Sequence, residues 1–146
     1  MRDDEARWGL IALVLSVAGL AVSIYLTVAH YAEPQLLACS ESGTINCAKV
    51  TTSPQSVILG IPVAVLGLPF FVAMTGLNLP VLRRGPGWLP TARIGAATVG
   101  ILFVLYLVYV ELFEVEAICL WCTSVHLLTF VLFGVTLAGA QRRTTV

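Results

Sequence analysis

The chain has 146 residues, of which 58% are hydrophobic and 11% charged, and its formal net charge is zero. Soluble domains carry roughly a quarter charged residues, so long, nearly uncharged runs place this chain in the membrane class, as a single domain over residues 1–146. A neutral chain offers no electrostatic footprint for nucleic acid or another polyanion.

Residues 1–8 are short and charged, with Arg2, Asp3, Asp4, Glu5 and Arg7. An uncharged run from Trp8 to His30 follows. At about 1.5 Å per residue it is long enough to cross about 30 Å of hydrocarbon, and it predicts a first span at 9–30. It is too long for the core of a signal peptide and lacks a small-x-small cleavage site after it. Ser16, Gly19, Ser23 and Thr27 set small residues at helical spacing. Such residues let backbones approach closely in lipid.

Residues 31–56 are polar and rich in turn formers: Glu33, Pro34, Ser40, Glu41, Ser42, Gly43, Asn46, Lys49 and Pro54. They predict a loop with room for a short surface helix. Cys39 and Cys47 lie in it with seven residues between them. Gly43 and Asn46 permit the bend that would bring the sulfurs together. A second apolar run, 57–79, contains Gly60-Ile61-Pro62 and Gly67-Leu68-Pro69. Proline is tolerated in a membrane helix when neighbours satisfy the freed carbonyls, so the reading is a kinked helix or a broken first turn.

Arg83, Arg84, Gly85, Pro86, Pro90 and Arg93 make residues 80–93 a tight basic turn. The third span is read at 94–113. Glu111, Glu114 and Glu116 punctuate a short connection to the fourth, 117–140. The expected fold class is therefore an all-α membrane protein. Its architecture is a four-transmembrane-helix bundle with a cysteine-bearing outer loop between helices 1 and 2.

Seven of the eight Lys and Arg residues fall in the N-terminal segment, the 80–93 turn and the C-terminal tail. The positive-inside rule then puts the termini in the cytoplasm and both cysteine pairs at the outer face. That side is oxidising for a bacterial plasma membrane, as is the endoplasmic reticulum lumen, so redox chemistry is read from topology alone.

Cys119-Leu120-Trp121-Cys122 opens the fourth run. Residues i and i+3 share a helix face, so these two sulfurs can meet, and His126 continues the same stripe. A helix N-terminus favours thiolate, whereas apolar burial opposes it. The redox reading of the pair competes with a static bridge, but so small a closed loop restricts the unfolded chain little. Cys39 and Cys47 read either as a shuttle disulfide or as a loop staple. Zinc is disfavoured by the spacings, and no metal is expected.

His126 lies one to two turns inside the span. It is either a satisfied interior histidine or a hydrogen-bond partner for a quinone carbonyl, since ionisable groups in membranes mark sites. Ser53 and Ser56 could cap the second helix or donate to a substrate carbonyl. Trp121 reads first as an interfacial belt residue and second as a wall of the pocket. Tyr25, His30, Tyr31, Tyr106 and Tyr109 read as interface anchors or packing.

Together these features resemble the vitamin K epoxide reductase family: four spans, Cys39-x7-Cys47, Cys47-x-x-Val50-x-x-Ser53, Gly60-Ile61-Pro62, and Cys119-x-x-Cys122 opening the last span. The Gly-Ile-Pro-Val run looks like that of bacterial members, and the resemblance covers roughly residues 9 to 140. It implies a four-helix membrane enzyme that passes electrons from thiols to a quinone of the menaquinone, ubiquinone or phylloquinone type. Quinone epoxide reduction is an extension of that activity.

By motif position, Cys119 and Cys122 match the active-site pair, with Cys122 meeting the quinone. Cys39 and Cys47 match the loop pair, and Ser53 matches a serine after it. His126 falls where some members have a tyrosine, a departure that changes the donor. Some bacterial members carry a fused thioredoxin-like domain. None is read here, so the expected partner is a separate extracytoplasmic thioredoxin-like protein, beside the bilayer and the quinone. Two alternatives remain: a DsbB-type disulfide oxidase, in which the CxxC precedes the wider pair, and a non-enzymatic four-span structural protein with a stapled outer loop.

Overall fold

A computed structural model describes residues 2–33, 37–39 and 42–144. Pro34, Ser40 and Glu41, which helped mark the loop in sequence, lie outside the described residues.

The chain is mostly helical. Helix α1 spans Arg2–Tyr31, a short α2 spans Cys47–Thr51, α3 spans Val63–Leu77, α4 spans Leu89–Tyr109, and α5 spans Leu120–Thr144. A 3-10 turn at Pro54–Ser56 leads from α2 into a small antiparallel hairpin, β1 (Val57–Ile58) and β2 (Ile61–Pro62). The four long helices pack in sequence around a common interior. α1 lies against α3 and α5, and α4 lies against the same two.

Among the described residues, three helical stretches are long and apolar enough to cross a membrane: Ala6–Tyr31, Leu89–Val115 and Leu120–Gln141. Their outward-facing side chains are apolar, for example Leu10, Val14, Val99, Leu102 and Leu127, all exposed. Lipid, unlike water, imposes no cost on such a surface.

The second apolar run folds differently from a full-length span. Its first six residues form the hairpin, whose tip residues Leu59 and Gly60 both have positive φ, 53° and 81°. Two consecutive left-handed residues make the tight turn that matches hairpin twist. The helix starts only after Pro62, and its 15 residues reach about 22 Å, short of the hydrocarbon thickness. Neither a kinked helix nor a broken first turn includes this hairpin, so the reading of 57–62 as the start of a helix is corrected.

The basic turn is also shorter than expected. A 3-10 turn occupies Pro80–Arg84, and α4 already begins at Leu89 with Pro90 in its first turn, where the missing N–H has no helical partner to lose. Arg93 is thus helical, and its Nε donates to the Leu77 carbonyl at 2.8 Å, satisfying the C-terminal end of α3.

The small-residue stripe on α1 lies in the interior as its spacing predicts. Ser16 and Ser23 are buried, and their relative Gly19 faces the ring of Phe71 on α3, where a Cβ would collide with it. Gly100 on α4 accommodates Phe70 in the same way. Backbone approach at these two glycines therefore sets the helix spacing. Replacing Gly19 by valine is expected to destabilise the fold by about 1–3 kcal/mol, the usual cost of overpacking a filled core. Thermal unfolding in detergent reads this as a lowered midpoint.

Candidate active site

Two strand-like contacts position the cysteines. Ile45 forms a parallel bridge with Ile118. The Ile118 N–H donates to the Thr44 carbonyl (2.9 Å), and the Asn46 N–H donates to the Ile118 carbonyl (3.1 Å). Asn46 then caps α2, its Oδ1 accepting from the Lys49 N–H at 2.7 Å. Cys47 opens α2 directly after this cap, and Cys119 sits immediately before α5. The bridge thus brings together the starting points of two helices, each marked by a cysteine.

Cys39 and Cys47 are joined in a disulfide, whereas Cys119 and Cys122 are free thiols. Cys47 and Cys119 are both fully buried in one cluster with Leu26, Val50 and Val115, and Cys39, Trp121 and Cys122 pack against it.

Cys119 precedes α5 rather than lying within it, so the expected stripe through Cys119, Cys122 and His126 starts one residue outside the helix. Its carbonyl accepts from the Thr123 N–H (2.8 Å) and its Sγ accepts from the Cys122 N–H (3.3 Å). This is the geometry of an N-cap, with sulfur in place of the usual oxygen. The Cys119 thiol is held below its ordinary range, first by a hydrogen bond from the Cys122 thiol and then by the N–H groups of Cys122 and Trp121, against the burial that pushes it up. It is therefore ionised over a wider pH range than a free thiol.

Beneath Cys122 lies a cavity of about 270 Å³. Its walls are mostly apolar, with Phe70, Phe71 and Phe103 among them, and it is near the lower end of ligand-pocket sizes. Of the residues expected at a quinone, Ser53, Ser56 and His126 line it together with Cys122. The Ser53 hydroxyl donates to the Val50 carbonyl (2.8 Å), and the Ser56 hydroxyl lies within reach of the Ser53 and Thr51 carbonyls (2.7 and 2.9 Å). Each retains lone pairs and can turn its hydrogen. His126 is 5% exposed and makes no hydrogen bond with the described residues.

Trp121 lies elsewhere. Its ring packs on Tyr25, with centroids 4.7 Å apart, and its Nε1–H donates to the Ala38 carbonyl at 3.1 Å. The Tyr25 hydroxyl accepts from the Ala38 N–H at 3.1 Å. Both aromatic residues thus grip the residue before Cys39, and Trp121 does not line the cavity.

Two ionisable cavity residues were not expected there from sequence. His30 reaches it from α1, and its Nδ1 lies 3.2 Å from the Thr51 carbonyl. A carbonyl only accepts, so Nδ1 carries the proton. Glu111, expected in an outer connection, is 7% exposed and lines the cavity. The reason is local: α4 continues as a π-helical segment, Val110–Val115, ended by Glu116 in the left-handed region at φ 52°. The wider turn rotates Glu111 inward, where its carboxyl interacts with the Cys122 thiol. The available signal was an acid inside an apolar run, between Val110 and Leu112.

A family model described as the vitamin K epoxide reductase family matches residues 10–137. The chain belongs to that family. Its members are membrane oxidoreductases that use quinones and act with thioredoxin-like partners, and membership implies membrane disulfide–quinone oxidoreductase activity for this chain.

The helix N-terminus and the Cys122 thiol make a checkable statement about Cys119. In protein whose loop pair is replaced by serine, ultraviolet thiolate absorbance should show Cys119 ionising below the ordinary thiol pKa of about 8.5. Cys122→Ala removes the strongest contributor, so the titration should move to higher pH.

Proposed function

We propose that this protein reoxidises an extracytoplasmic thioredoxin-like protein and delivers the two electrons to a membrane quinone, supporting disulfide formation. One observation carries the reading: the free Cys122 thiol opens onto an apolar cavity, while its pair-mate Cys119 shares a buried cluster with Cys47 of the loop disulfide.

In this reading the chain is a four-helix bundle that crosses a bacterial plasma membrane four times with cytoplasmic termini. The hairpin at 57–62 completes the crossing that α3 alone is too short to make. All four cysteines then lie at the outer face, as the distribution of Lys and Arg favours.

The cycle is thiol–disulfide exchange followed by quinone reduction. A thiolate of the partner attacks Cys39 and releases Cys47, and the partner's second thiol frees Cys39. The Cys47 thiolate attacks Cys119 of an oxidised Cys119–Cys122 pair, releasing Cys122. Cys39 then resolves the Cys47–Cys119 link. The loop disulfide is restored and Cys119 and Cys122 are left as thiols.

The dithiol then gives two electrons to a quinone in the cavity, forming quinol and closing the Cys119–Cys122 disulfide. Ser53, Ser56 and His126 polarise the quinone oxygens as negative charge develops there, in a site of low dielectric. Trp121, with Tyr25, anchors the loop beside Cys39.

The test is anaerobic quinone reduction by detergent-purified protein with a small dithiol as donor. Wild type should be active and Cys122→Ala inactive. Cys39→Ala should keep activity with the small dithiol and lose it with a thioredoxin-like donor. If Cys39→Ala abolishes both, the order of the relay is wrong. A wild type inactive with every quinone tried returns the chain to the structural reading.

A further inference from the structure

A quinone takes up two protons with its two electrons, and both thiols must lose theirs. The cavity's polar groups differ in what they can contribute. The Ser53 and Ser56 hydroxyls are engaged with backbone carbonyls and do not ionise near neutral pH. His126 sits one turn beyond Cys122 along α5 and has no hydrogen-bond partner among the described residues. Among the described residues, Glu111 supplies the one carboxyl that lines the cavity together with Cys122.

Its placement is costly. The side chain is 7% exposed in an apolar setting, and no cation contributes to its surroundings among the described residues. Burying such a group without a charged partner is unfavourable, and ionisable groups at membrane depth mark functional sites. The π-helical segment that carries it is itself a feature frequent at functional sites.

We propose that Glu111 is the proton carrier of the quinone step, taking the Sγ proton of Cys122 and passing it to a quinone oxygen. The proposal rests on the thiol–quinone reading above. The Cys122 S–H bond breaks toward the carboxylate, and the resulting thiolate supplies the electron pair to the quinone. The Cys119 thiolate closes the S–S bond with Cys122. The Glu111 carboxylic acid then protonates one oxygen, which restores the carboxylate. The second oxygen takes its proton from solvent, matching the one Cys119 released on ionising. The sum is dithiol plus quinone to disulfide plus quinol.

The experiment is a single turnover. Protein reduced by a small dithiol and freed of it is mixed anaerobically with menadione, a naphthoquinone without a tail, and menadiol formation is followed across pH. His30, Cys119, Cys122 and His126 also face or adjoin this space, so the comparison is between variants at each pH. Glu111→Gln should slow menadiol formation by about 10²-fold or more, within the range of general acid–base catalysis, and should lose one ionisation from the pH profile. Its menadione Kd and its rate of thiol exchange with the small dithiol should stay at wild-type values. Glu111→Asp keeps a carboxyl and should retain the ionisation and part of the rate, which holds the test open if Glu111→Gln folds poorly.

A Glu111→Gln protein with wild-type rate and profile overturns the proposal. So does one in which menadione binding and thiol exchange fall in parallel with turnover, because that marks a packing role. If wild type itself forms no menadiol, the thiol–quinone reading fails and takes this role with it.

Discussion

The backbone bridge between Ile45 and Ile118 is the contact on which the rest of the site depends. Two hydrogen bonds hold a polar loop against the segment that starts the last helix. Without them little would hold Cys47 beside Cys119, because about half of the chain separates the two. With them, the first residue of α2 and the cap of α5 enter one buried cluster. The aromatic grip of Tyr25 and Trp121 on Ala38 secures the other end of the same loop. Trp121 lies between the two cysteines of the CxxC, so the element that carries the thiols also holds the loop that addresses them.

Below this junction the molecule changes solvent character. The Cys119 sulfur is surrounded by N–H donors at a helix start, and Cys122, three residues on, opens into an apolar cavity. The two thiols thus sit in different surroundings, one at a helix cap and one at an apolar cavity. The cavity is walled in part by the phenylalanines that pack between the helices. Gly19 and Gly100 admit Phe71 and Phe70, and those rings form part of its wall.

Much of this arrangement was legible from short-range pattern. Hydropathy found the long helices, and cysteine spacing marked the two pairs that the fold gathers at one cluster. Small residues on α1 showed which face turns inward. What escaped depended on one-residue changes of geometry or on distant partners. A π turn adds no residue type of its own, so Glu111 read as a loop acid instead of a cavity group. Leu59 at positive φ hides a hairpin inside an apolar run, because leucine is not a turn former. Trp121 was assigned by its residue type to the membrane interface or the pocket. Its partner at Ala38, 83 residues earlier, has no local signature.

The central claim is that electrons pass from the loop to the helix through Cys47 and Cys119. Its most direct test is the double variant Cys39→Ala with Cys122→Ala, which leaves those two thiols without their pair-mates. After mild oxidation, alkylation and peptide mapping without reductant, the account predicts a Cys47–Cys119 disulfide as the main species. Finding both thiols alkylated, under conditions that fully oxidise the wild-type pairs, would contradict it.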